Sequence, residues 1–198
     1  MIGAFSKEHD IIIIEDAIYT LFSPHPISPI ASFAPDNTVF ISSVSKTLSP
    51  GLRLAVVSSP KRFHEMIMGS LYAMQITPPS MMTQLFTRLI LSGRFERIRR
   101  LRIDELEKRN RLFEEICKDA DSRGDLNCPI RWIHLPKDKY NSPREFEIEA
   151  EQNGIQVYGG ERFTVGTSTV PLAIRISLIS AHPISEYKKA LKTLNKLL

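Results

Sequence analysis

The chain has 198 residues, 42% hydrophobic and 24% charged, and its 26 Lys and Arg against 22 Asp and Glu leave a formal net charge of +4. That composition is globular, excludes disordered and collagen-like classes, and carries a positive excess too mild to demand a nucleic-acid partner. The longest aliphatic run, residues 11–14, falls far short of the ~20 apolar residues a membrane helix needs. The first ten residues also lack the basic and apolar regions of a secretory signal, so a cytoplasmic location without membrane partners is expected.

In chain order, β-branched apolar runs at 11–14, 38–42 and 53–59 predict three strands. Their continuous rather than alternating hydrophobicity predicts burial on both faces, as in a parallel sheet. Pro24, Pro26, Pro29 and Pro35 predict an irregular connection between the first two strands. Pro60 closes the third, and 61–76 reads as a helix. From Ser80 to Ala120 apolar residues recur at helical spacing, interrupted only by Gly93, which predicts one long helix or two joined there. Its basic run, Arg94, Arg97, Arg99, Arg100 and Arg102, reads as a solvated face, because Glu96/Arg100, Glu105/Arg109 and Glu107/Arg111 are i,i+4 pairs.

Beyond Ala120 the pattern changes. Residues 130–135 alternate like a half-buried strand, and 142–153 form an amphipathic helix opened by Ser-Pro and ended by Gly154. Residues 155–158 and 173–178 are strand-like, and 185–198 form a closing helix with Ser185 as N-cap. Cys117 and Cys128 stand in no CxxC or metal spacing and read as reduced thiols. His9, His25, His64, His134 and His182 form no ligand spacing either, so no metal site is expected.

Chemistry concentrates in three places: Asp16 to Tyr19 after the first strand, Ser43 to Lys46 after the second, and Pro50 to Arg53 leading into the third. Ligands bind at the carboxyl ends of strands in an open parallel sheet, where Asp16, Ser43 and Lys46 would cluster. Singly, an Asp after a strand is a turn former, Tyr19 a core residue and Ser-x-Ser-Lys a polar turn. Together they supply an amine, a carboxylate, a phenol, hydroxyls and a guanidinium. Arg53 and Arg175 lie in apolar strand segments, so each needs an acidic partner or an anionic ligand.

Asp16-Ala-Ile-Tyr19 and Ser43-Val-Ser-Lys46-Thr-Leu-Ser-Pro50-Gly51-Leu-Arg53 resemble the D-x-x-Y and S-x-S-K-x-x-x-P-G-x-R elements of fold-type I pyridoxal-phosphate enzymes, the class I/II aminotransferases. Ala173-Ile-Arg175-Ile-Ser-Leu resembles that family's strand bearing the substrate-carboxylate arginine. Val157-Tyr-Gly-Gly-Glu-Arg-Phe163 resembles the aminotransferase-like domains of MocR-type regulators of the GntR group. The resemblance implies pyridoxal 5'-phosphate held by Lys46 as a Schiff base, and amino-group transfer between an amino acid and a 2-oxo acid. It implies Asp16 at the pyridine nitrogen, Tyr19 at the ring oxygen, Ser43, Ser45 and Arg53 on the phosphate, and Arg175 on the substrate α-carboxylate. A homodimer is implied as well, with DNA a partner only within a longer regulator.

The implied architecture is α/β: a partial cofactor-binding large domain over 1–78, a connecting helix over 79–120 and a small α+β domain over 121–198. The family's upstream glycine-rich phosphate-binding turn, ring-stacking aromatic and asparagine have no counterpart here, so a truncated family member with impaired activity is expected. An effector-binding module of a MocR-type regulator and a non-catalytic remnant are the alternatives.

Overall fold

The structure, a computed structural model, describes residues 2–25, 27–179 and 183–198, so the predicted loop residue Pro26 and the histidine His182 lie outside the described residues. The chain divides into two units, Met1–Arg102 and Ile103–Leu198.

In the first unit, α1 (Ile2–Glu8) precedes β1 (Ile13–Asp16), β2 (Thr38–Ser43) and β3 (Ala55–Ser58), which form one sheet in that order. The strands β1 and β2 are parallel, with Asp16 opposite Ile41, but β3 is antiparallel to β2, with Ser43 opposite Ala55. The sheet is therefore mixed where a parallel one was expected. The connection from Ser43 to Ala55 is too short for a crossover helix, so the chain can only fold back. Within the long Pro-rich connection, Glu15 accepts from the Ile30 and Ala31 N–H groups, both at 3.0 Å, and ties the loop to β1.

Burial on both faces is a second expectation that the structure corrects. All of β3 is exposed, Val56 at 54% and Val57 at 41%, and so is Ile14 at 72%. The apolar runs specify strands, while the buried apolar residues of this unit, Ala17, Phe22, Ala34 and Val44, lie in the connections, and on the strands themselves only Thr38 is fully buried. Helices α2 (Lys61–Gln75), α3 (Ser80–Leu91) and α4 (Arg94–Ile116) follow, the last two separated at Gly93. Gly93 has φ +69, which glycine adopts without the Cβ penalty and which stops the helix. No described helix is long and apolar enough to cross a membrane.

The second unit is built on an antiparallel sheet of β4 (Ser122–Arg123), β5 (Ile130–His134), β7 (Ala173–Ser177) and β6 (Tyr158–Gly159), in that spatial order. The alternation read in 130–135 appears as alternating burial along β5. Helix α5 (Pro143–Gln152) is capped by Ser142, whose Oγ accepts from the Glu145 N–H at 3.3 Å, and α6 (Ile184–Leu197) closes the chain. Ile133, Ile174, Leu178, Phe146, Phe113, Leu191 and Leu194 are buried as its core.

Two boundaries move. The 155–158 strand shrinks to β6 because the Ile155 N–H bonds the Ala150 carbonyl at 2.8 Å, finishing α5 after the left-handed Gly154. The N-cap of α6 is Pro183 rather than Ser185, since the Pro183 carbonyl accepts from Glu186 and Tyr187, both at 3.1 Å, and starts the helix earlier.

A buried polar hub braces this unit. Asn110, fully buried, donates to the Leu106, Leu126 and Cys128 carbonyls at 3.0 to 3.2 Å and accepts from Arg131 Nε at 2.8 Å. Arg131, 2% exposed, also donates to the Gly124 carbonyl and to Glu114. Replacing Asn110 with Leu strands these carbonyls and one guanidinium donor in the core. We expect Asn110→Leu to lower unfolding stability by about 3 kcal/mol, read from urea denaturation; a loss below ~0.5 kcal/mol would show that the hub carries no such burden.

Candidate functional site

In the first unit, the candidate residues gather at the carboxyl end of β1 and β2. Asp16 is the last residue of β1, and the ladder continues through the Ala17 N–H to the Ile41 carbonyl at 2.8 Å. Its carboxylate is exposed: Oδ1 accepts from the Ile18 N–H at 3.1 Å, and Oδ2 has no partner among the described residues. Tyr19 leads into a short 3-10 turn, Thr20–Phe22, and is 38% exposed. Ser43 ends β2; its Oγ lies 3.1 Å from Ser45 Oγ and accepts from the Ser45 N–H at 3.2 Å.

Lys46 sits in a single helical turn closed by the Leu48 N–H on the Val44 carbonyl at 2.8 Å. Val44 and Thr47 point inward and are buried, which leaves the Lys46 side chain exposed between them. Because β3 runs back along β2, Arg53, two residues ahead of Ala55, returns to the end of the sheet that carries Asp16 and Ser43. Arg53 holds φ 51, a left-handed conformation that costs a non-glycine residue ~1–2 kcal/mol. It ends the 3-10 turn Pro50–Leu52, whose N-cap Ser49 accepts from the Gly51 N–H at 3.2 Å. Arg53 is exposed and lies ahead of β3 rather than within a strand, so, contrary to the sequence expectation, its charge is solvated and needs no partner; no carboxylate among the described residues pairs with it.

Chemically, this end of the sheet offers a guanidinium and two hydroxyls, the donor set for a phosphate, with an exposed primary amine and an exposed carboxylate beside them. Among the described residues no group of three His, Cys, Asp or Glu gathers to hold a metal ion.

The basic run of α4 departs from the solvated face read in the sequence. Arg100 pairs outward with Glu96 as expected, at 3.0 Å, but Arg99 turns inward and donates to the Leu21 and Ser23 carbonyls at 3.2 and 3.0 Å. It thereby holds the turn that follows Tyr19, while Nε and Nη2 grip Glu96 at 2.8 and 2.9 Å. Further along, Arg109 is also buried, at 5% exposure. Spacing alone could not separate inward from outward arginines, because both kinds have a glutamate one turn away.

In the second unit, Arg175 lies in β7 opposite Trp132 of β5 and Tyr158 of β6. Its guanidinium stands 5.2 Å from the Phe163 ring centroid, and Phe163 meets Trp132 edge to face at 5.6 Å. Arg175 is half-buried and has no carboxylate partner among the described residues, so its guanidinium rests against an aromatic ring rather than in an ion pair. The Gly159-Gly160 pair ahead of Phe163 is a steric need. A Cβ on Gly160 would meet the Pro171 carbonyl oxygen at 2.4 Å. Trp132 was missed as a site residue because strand register, which brings it to Arg175, leaves no local signal, and Phe163 because it reaches Arg175 from a 3-10 turn outside the ladder.

The bonds from Arg99 and Arg100 hold the Glu96 carboxyl down at about 2, below its ordinary value near 4.5. A lowered carboxyl adds stability that is complete above the unfolded pKa and is lost as pH falls through the folded one. Thermal melts should therefore show a component lost between pH 4.5 and 2 that Glu96→Gln removes. Identical pH profiles for both chains would contradict this.

No protein-family model matches the chain. It is 35% identical over 198 residues to the uncharacterized HTH-type transcriptional regulator YdeF of Bacillus subtilis, covering 100% of this chain and 42% of that protein. It is 31% identical over 213 residues to the uncharacterized HTH-type transcriptional regulator YjiR of Escherichia coli, covering 98% and 42%. The chain thus spans less than half the length of the curated relatives it matches. Among solved structures, the α-aminoadipate aminotransferase LysN of Thermus thermophilus, complexed with N-(5'-phosphopyridoxyl)-L-leucine, superposes with a TM-score of 0.82 at 18% identity, covering 100% of this chain and 52% of that one. The aspartate aminotransferase of Thermus thermophilus with maleate superposes with 0.86 at 15% identity, covering 99% and 50%.

Proposed function

Since the chain has the aminotransferase fold, we propose that it is a pyridoxal-phosphate module built for amino-group transfer between an amino acid and a 2-oxo acid, with Lys46 as its reactive amine. The observation that carries this reading is the gathering of Asp16, Ser43, Ser45, Lys46 and Arg53 at one end of the β1–β2–β3 sheet. These residues fit the cofactor group by group. Arg53 with Ser43 and Ser45 would hold the phosphate, the free Asp16 oxygen would pair with the ring nitrogen, and Tyr19 would donate to the ring oxygen.

When bound, the cofactor supplies an electron sink for charge developing at the substrate α-carbon. Lys46 Nζ would take and return the α-proton. Asp16 would stabilise positive charge on the ring nitrogen, and Arg175 would hold the substrate carboxylate and so orient the bond to be broken. In this reading residues 1–78 are the partial cofactor-binding domain, 79–120 the connecting helix and 121–198 the small domain, in a homodimer.

The similarity to two HTH-type regulators over nearly the whole chain favours a second use of the same site. In a MocR/GntR-type regulator the module would bind an effector, and DNA would be contacted by a separate winged-helix domain.

Visible absorbance titrated with pyridoxal phosphate, beside Lys46→Ala, tests the reading. Borohydride reduction and peptide mass mapping then locate the modified lysine. We expect saturable binding fixed at Lys46 in the wild type, and any amino transfer to fall by at least ~100-fold in the variant. Binding without turnover of amino donors would favour the effector module. Equal, non-saturable labelling of several lysines in both chains would overturn the cofactor reading and leave a remnant.

A further inference from the structure

We propose that Glu147 is a positioning residue for the Arg175 site: it holds the segment whose aromatic rings orient the Arg175 guanidinium, and so sets the affinity for carboxylates there without touching them. The inference rests on the reading of Arg175 as a carboxylate clamp, and it concerns a residue that reading does not use.

Glu147 lies on α5 with its side chain only 8% exposed. Its Oε1 accepts from the Gly159 N–H and from Arg162 Nε, both at 2.9 Å, and its Oε2 accepts from Arg144 Nη1 at 2.8 Å. One carboxylate therefore ties α5 to both ends of the Gly159–Arg162 stretch. Burial would raise this carboxyl, but the Gly159 N–H and the two arginines outweigh it and hold it below the ordinary carboxylate range.

What that stretch carries is the wall of the Arg175 site. Tyr158, directly before Gly159, is opposite Arg175 in the ladder, and the Arg162 guanidinium lies 5.2 Å from the Tyr158 ring centroid. Phe163, directly after Arg162, stands under the Arg175 guanidinium and edge-on to Trp132. A planar guanidinium recognises a carboxylate through two parallel donors, so the tilt of its plane decides whether both are used. The ring against Arg175 is that of Phe163, carried by a single 3-10 turn after a two-residue strand, a stretch with little regular hydrogen bonding of its own. The buried charge on α5 supplies the missing constraint.

Trp132 is the only tryptophan in the chain and sits in this wall, so its fluorescence reports on it directly. The experiment compares the 198-residue wild type with Glu147→Gln, Arg162→Gln and Arg175→Met. Acrylamide quenching of Trp132 is measured in the free chains, followed by titration with pyruvate as the carboxylate probe. Glu147→Gln keeps the shape and one acceptor but loses the charge that gathers the two arginines. The expected result is a saturable pyruvate response in wild type that is lost in Arg175→Met. In Glu147→Gln, Trp132 quenching should increase and the pyruvate Kd should rise about 10-fold, with a single cooperative melt retained.

Wild-type quenching and wild-type Kd in Glu147→Gln would overturn the positioning role while leaving the clamp intact. A wild type that shows no saturation, or an Arg175→Met chain that binds equally, would sink the clamp reading and this proposal with it. Should Glu147→Gln fail to fold, Arg162→Gln decides by the same two readouts, since its side chain is 54% exposed and Glu147 still keeps the Gly159 N–H and Arg144 as partners.

Discussion

The short reversal between Ser43 and Ala55 is the constraint on which the candidate site of the first unit depends. A parallel β3 would enter the sheet at its opposite end and carry Arg53 away from Asp16. The antiparallel ladder instead pairs Ala55 with Ser43 and returns Arg53 to the strand ends that present Asp16 and Ser43. The left-handed backbone at Arg53 is where that reversal finishes, and its conformational cost is met by the hydrogen bonds of the β2–β3 ladder.

In each unit, charged side chains that turn inward organise the loops. Arg99 closes on the carbonyls beyond Tyr19, Arg131 on Asn110 and the Gly124 turn, and Glu147 on Gly159. In each case an ionic group satisfies backbone polar groups of a turn or of a strand end that regular pairing leaves open. Removing one partner is therefore more damaging than the pair is stabilising. These segments also bear or adjoin the aromatic and phenolic side chains of the two candidate sites.

The exposed sheet face and helices of the first unit carry a different message. Val56, Val57 and Ile14, with Met66, Tyr72 and Met74 of α2, are large apolar side chains left in water in this chain. Sequences of the buried-strand kind fold here into a β3 that the described residues leave exposed along its whole length, beside a half-buried β2. The solved aminotransferases that share the fold are about twice as long as this chain.

Much was legible in the sequence because it is local. β-branched runs, the Ser142-Pro143 helix start, the glycines at 93 and 154, and the D-x-x-Y and S-x-S-K spacings all act within a few residues through φ preferences, capping and side-chain volume. The same locality made the order of the candidate residues visible from Asp16 to Arg53. Tertiary structure alone decided the direction of β3, the exposure of its faces, and which arginines of α4 turn inward. It also decided the register that sets Trp132 and Tyr158 beside Arg175, and the burial of Glu147 at the turn behind Phe163. Each of those depends on partners distant in sequence, and pairing between distant residues has no signature in the spacing of either one.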